Sequence, residues 1–151
     1  MSKITIWTDG CCEPINPGGH AGYGAVIFKD GDRISEHSGY IPAAPNTSNN
    51  VGEYKAIIWA LRWLRENADM KLDTIELRTD SMMAVKQLNG KWRIKQGHYV
   101  PFAFEAKQLM DGFKNLSFIW VSRDDNEIAD ELSKRELKKR NVTFKIQPWG
   151  K

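Results

Sequence analysis

The chain opens on a strict alternation of apolar and polar positions. Lys3-Ile4-Thr5-Ile6-Trp7-Thr8 has period two and is rich in β-branched residues, which predicts a strand over residues 3–8. Asp9-Gly10 and the stretch from Pro14 to Gly19 read as its end. Tyr23 to Phe28 predicts a second strand, Asp30-Gly31 a hairpin turn, and Arg33 to Tyr40 the return strand. Pro42 to Asn50 is a loop that ends in Ser48, Asn49 and Asn50, all suited to capping a helix. The period then changes: Tyr54, Ile57, Ile58, Leu61 and Leu64 fall at helical spacing, ending near Asn67. Thr74 to Thr79 predicts a short strand. Ser81 to about Leu88 predicts a helix capped by Ser81 and stopped by Asn89-Gly90. Phe102, Ala106, Leu109, Met110 and Phe113 form one face of a further helix. Leu116 to Val121 is almost continuously apolar, the pattern of a strand buried on both faces. Asn126 to about Lys139 is a last helix with Ala129 and Leu132 inward, and Val142 to Lys151 an irregular tail.

Three strands, a helix, a strand, two helices, a strand and a helix make an α/β fold. The expected architecture is a five-stranded mixed sheet, a three-strand antiparallel meander plus parallel strands, flanked by helices. No repeat or linker divides the chain, so residues 1–140 are expected to form one domain and 141–151 a tail.

Composition narrows this little. The 151 residues are 41% hydrophobic and 27% charged, as in a soluble globular domain. No run of about 18 apolar residues suggests a membrane span, and no apolar segment follows the N-terminus as in a secretory signal. Cys11 and Cys12 are adjacent and cannot staple a fold, which predicts free thiols in a reducing, cytoplasmic setting. A monomer is expected. The charge distribution says more. Residues 134–151 carry seven basic side chains against Glu136 alone, +6, which leaves −3 on the other 133 residues. Such a run is either a solvated helix face or a contact for a polyanion.

Four acids stand out by position. Asp9 and Asp80 each directly follow a predicted strand. If those strands are parallel neighbours, both acids sit at one edge of the sheet, where open α/β sheets place their sites. Glu53 lies in the first turn of the first long helix and Asp130 near the start of the last. Singly, each has an ordinary role as turn residue, cap or surface charge. Converging, they would repel one another and need cations. Hard divalent ions, Mg²⁺ or Mn²⁺, are held by carboxylates, water and phosphate oxygens. Two such ions can stabilise both oxygens of a phosphodiester displacement. His20, His37 and His98 are scattered, which argues against zinc.

Thr8-Asp9-Gly10-Cys11-Cys12 with Asn16-Pro17-Gly18-Gly19, Ser48-Asn49-Asn50-Val51-Gly52-Glu53, Thr79-Asp80-Ser81 and Asn126-Glu127-Ile128-Ala129-Asp130 stand in order along the chain. Together they resemble the four motifs of type 1 ribonuclease H, from residue 3 to about 138. The resemblance implies a metal-dependent endonuclease that cuts the RNA strand of an RNA–DNA hybrid, leaving 5′-phosphate and 3′-hydroxyl ends. It implies that Asp9, Glu53, Asp80 and Asp130 are catalytic acids holding two Mg²⁺ (or Mn²⁺) ions. It further implies that Gly10, Cys11, Cys12, Asn16, Asn49, Asn50 and Ser81 contact the hybrid. The wide minor groove of such a duplex exposes the 2′-hydroxyls that mark RNA. The chain departs from the family's common pattern in four ways. Val121-Ser122-Arg123-Asp124-Asp125-Asn126 carries no histidine, Met82 replaces a polar residue, and Cys11 replaces a commoner serine. The basic segment from Lys86 to Lys95, with Trp92 interleaved, is too short for the family's full handle. Trp92 is either a contact for the DNA strand or a packing aromatic. Two other readings remain: a non-catalytic nucleic-acid-binding module of this fold, and a DNA-directed nuclease of the same superfamily.

Overall fold

The computed structural model describes residues 1–145. Five strands, β1 (Lys3–Glu13), β2 (His20–Lys29), β3 (Asp32–Ile41), β4 (Thr74–Thr79) and β5 (Leu116–Trp120), form one sheet in the order β3-β2-β1-β4-β5. β1, β2 and β3 are antiparallel, while β4 and β5 run parallel to β1. Among the described residues there are four α-helices: α1 (Asn49–Asn67), α2 (Met82–Leu88), α3 (Val100–Leu109) and α4 (Glu127–Lys139). The order of elements and the mixed sheet are as expected.

α1 buries Val51, Tyr54, Ile57, Ile58, Leu61 and Leu64, nearly four turns of apolar stripe, against Ile4 and Ile6 of β1 and Ile27 of β2. Its start is set by Ser48, whose Oγ accepts the Val51 N–H at 3.2 Å. α4 packs on β2 from the other face, as close as backbone allows. A Cβ on Gly24 would lie 2.6 Å from Leu132 Cβ and from the Ser133 nitrogen.

Four expectations need correction. β1 does not stop at Thr8 but runs to Glu13, because β2 continues to pair with it as far as Glu13↔His20. Its parallel pairing with β4 ends at Thr8↔Thr79. Beyond that point β1 has a neighbour on one side only, and the gap is the mouth of a cleft. Helix α1 begins at Asn49, so Glu53 lies in its second turn rather than its first. β5 is not buried on both faces: it is the edge strand, and only Phe118 of its five residues is buried. α3 ends at Leu109, short of Phe113, where the chain turns through Gly112 at φ +92°. A 3-10 turn at Arg123–Asp125, not foreseen, precedes α4. The tail beyond residue 145 lies outside the described residues.

Candidate active site

Asp9, Glu53 and Asp80 meet at the β1–β4 gap. One carboxylate oxygen from each lies within 4.8 Å of the other two. Three elements deliver them. β1 carries Asp9 one residue past its last pairing with β4. β4 ends at Thr79 and hands Asp80 to the turn that starts α2. α1 approaches β1 over Gly10, where a Cβ would sit 2.5 Å from the Gly52 carbonyl carbon and closer still to the Glu53 nitrogen. Only a residue without a side chain lets Glu53 come this near to Asp9.

The electrostatics are unfavourable without cations. Burial pushes the Asp9 carboxyl well above the usual range, and the charges of Glu53, Asp80 and Asp130 push it further. Glu53 is raised likewise, first by burial and then by Asp80. Asp80 is raised by burial, against the opposing pull of the Arg123 guanidinium. Glu53 Oε2 is buried and has no hydrogen-bond partner among the described residues. An orphaned carboxylate oxygen beside two other carboxylates fits a divalent cation, and hard oxygen donors favour the magnesium class.

Asp130 stands apart. It lines the same cleft and acts on Asp9, but it lies outside the three-carboxylate cluster, and Lys134 Nζ one turn on holds it at 3.1 Å. The cleft measures about 740 Å³. Gly10, Cys11, Cys12, Asn16, Asn49, Asn50 and Ser81 all line it. Asn16 and Asn49 hold each other: Asn16 Nδ2 donates to Asn49 Oδ1 at 2.8 Å and Asn16 Oδ1 accepts the Asn49 N–H at 3.1 Å. Ser81 also caps α2, its Oγ accepting the Ala84 N–H. The cysteines are free. Cys11 Sγ donates to Ser133 O, and burial pushes its thiol up to about 12, which disfavours the thiolate. Trp92 is half exposed on the α2–α3 connection and is not among the residues lining the cleft.

Among the cleft residues that sequence reasoning did not single out are Glu13, Trp120 and Arg123. Trp120 read as core, yet its indole Nε1 donates to the Asp80 carbonyl at 3.2 Å from the cleft wall. The available signal was position. Trp120 ends the last strand and Arg123 follows it, at the same sheet edge as Asp80.

A family model described as "Reverse transcriptase-like" matches residues 8–136. A solved structure titled LC11-RNase H1 in complex with RNA/DNA hybrid superposes with a TM-score of 0.79 at 35% identity, covering 91% of this chain and 99% of that one. The chain belongs to the type 1 ribonuclease H family. Ribonuclease HI of Halobacterium salinarum is 36% identical over 135 residues, 89% of this chain and 64% of the relative. A bifunctional protein of Mycobacterium tuberculosis is 31% identical over 137 residues, 87% of this chain and 34% of the relative. The chain therefore spans about a third of the length of the first curated relatives it matches. This ribonuclease H family member has no helix among its described residues long and apolar enough to cross a membrane.

Proposed function

We propose that this chain is a divalent-metal-dependent endonuclease that hydrolyses the RNA strand of RNA–DNA hybrids, leaving 5′-phosphate and 3′-hydroxyl ends. The observation that carries the reading is the convergence of Asp9, Glu53 and Asp80 within 4.8 Å, with the Glu53 Oε2 unpartnered, in a cleft open enough for a nucleic-acid backbone. Those three acids and Asp130 would hold two Mg²⁺ or Mn²⁺ ions, which when bound supply an activated water and charge stabilisation at the leaving oxygen. The chain's own residues position the rest. Arg123, beside Asp80, offers a cation to the scissile phosphate. The Asn16–Asn49 pair fixes two amides at the rim, where short donors and acceptors reach 2′-hydroxyls. Trp92, away from the cleft, would meet the DNA strand at a distance from the chemistry. The compartment proposed is the cytoplasm.

Digestion of labelled hybrid, RNA duplex and DNA duplex with Mg²⁺ or Mn²⁺ tests the reading. Cutting of the hybrid's RNA strand alone supports it. Cutting of duplex DNA in preference would make this a DNA-directed nuclease, and binding without cutting a non-catalytic module.

A further inference from the structure

Glu13 and Lys145 lie 132 residues apart in sequence and meet at the rim of the cleft. Helix α4 ends in a Schellman turn: Asn141 takes the left-handed conformation at φ +57°, and the Val142 N–H donates to Leu137 O at 3.0 Å. The chain then doubles back to the end of β1, where the Lys145 backbone N–H donates to Glu13 Oε1 at 3.0 Å. A carboxylate at the rim of a cleft built for a polyanion repels phosphate, so its presence there needs a compensating use. The bond it makes engages the Lys145 backbone and leaves the ammonium to other partners.

We infer that Glu13 is a positioning residue that pins the C-terminal segment, so that Lys145 forms a cationic rim of the cleft and contacts the sugar-phosphate backbone of the bound nucleic acid. The inference rests on the nuclease reading for the occupant of the cleft. It separates cleanly from a plain charge effect. Loss of the Glu13 charge alone would tighten binding to a polyanion. Loss of the latch would loosen it, because Lys145 would no longer be held at the rim.

The test is the salt dependence of binding for hybrid and DNA-duplex oligonucleotides, in an Asp80→Asn background so that nothing is cut. One lost phosphate contact lowers the slope of log K against log salt by about 0.9. Between 50 and 200 mM salt the ratio of variant to parent Kd should therefore fall about three- to fourfold. Glu13→Ala and Lys145→Ala are each expected to show this, and the double variant to be no worse than either. Glu13→Gln, which keeps an acceptor oxygen, should hold the parent slope. Amide hydrogen exchange at Lys145 should speed up in Glu13→Ala and not in Glu13→Gln. Tighter binding by Glu13→Ala, or an unchanged slope, overturns the latch even if the wild-type chain cuts hybrid. A wild-type chain that cuts no hybrid while these slope changes appear overturns the nuclease reading and leaves the latch standing. A chain that binds neither probe overturns both.

Discussion

Asp73 and Asp80 flank the same strand, β4, and meet opposite fates. Asp73 accepts the Asp69 N–H and the Ser2 N–H, each at 2.8 Å, and these donors hold its carboxyl below the usual range. A folded value below the unfolded one means that its stabilisation is present above about pH 4 and is lost as pH falls through the folded value. Asp73→Asn places an amide NH₂ against one of those donors. It should lower the melting temperature at pH 7, and the difference from wild type should shrink below about pH 4; thermal melts across that range would check this. Asp80 has the reverse environment, with burial raising it beside two other acids. Asp80→Asn should cut kcat at least about 100-fold, more than the loss of an outer hydrogen bond to a ligand. The metal-free variant should melt at or above the wild-type temperature, since a repelling charge is gone. Mg²⁺ should raise the wild-type melting temperature, by about 2.7 kcal/mol of stability at a hundredfold excess over Kd, and raise the variant's less. Calorimetry with and without Mg²⁺ reads both. Both acids stand at the ends of β4, but only Asp80 carried a motif and was singled out in the sequence. Asp73 finds one donor four residues back, at Asp69, but its other donor comes from residue 2 and the carboxylates around Asp80 come from residues 9 and 53, so local sequence does not tell the two fates apart.

At the scale of elements, the alternation and the helical stripes sufficed for the order β-β-β-α-β-α-α-β-α, because period two and period 3.6 are local signals. The end of β1 was not local. Asp9-Gly10 has the composition of a turn, yet pairing with β2 as far as Glu13 carries the strand through it. β5 was misread for a related reason: apolar content does not tell an edge strand from a central one, and Ile119 and Trp120 stay partly exposed. Gly10 shows the consequence for the site. It looked like a turn glycine, but it serves as the contact surface for α1. Gly10→Ala should force α1 away from β1 at Glu53, destabilise the protein by about 1–3 kcal/mol as overpacking does, and reduce kcat more than it raises KM. By contrast Leu61→Ala, fully buried under the same helix, should cost about 2–5 kcal/mol while leaving kcat near wild type below its melting temperature. Denaturant melts paired with steady-state kinetics separate the two. Equal kinetic effects would mean that the Gly10 contact does not set the position of Glu53.

At the scale of the whole molecule, the basic end of the chain is less free than its charge suggests. Lys134 is paired with Asp130, Arg135 with Glu36, and both Lys139 and Arg140 with Glu136. The Arg140 guanidinium also lies 3.9 Å over the Tyr40 ring, which ties α4 to β3. The exposed pairs among them, those on Glu36 and Glu136, add roughly 0–1 kcal/mol each, so they do not account for the fold. What they do is partly neutralise the outer face of α4, while Arg123 and Lys145 stand where the cleft is. A polyanion is then drawn to the carboxylate site rather than along the helix, and the sign of the sequence-wide charge matters less than where the unpaired cations sit. This predicts an asymmetry among residues of identical charge. Lys139→Ala removes a charge already engaged by Glu136 and should leave hybrid affinity and its salt slope unchanged within error. Arg123→Ala removes a charge that lines the cleft and acts on Asp80, and should weaken binding and lower the slope by about one contact's worth, roughly 0.9. Fluorescence anisotropy titrations at four or five salt concentrations, on the same hybrid, measure both. Equal slopes for the two variants would mean that the nucleic acid reads the net charge of the chain and not the geometry of the cleft.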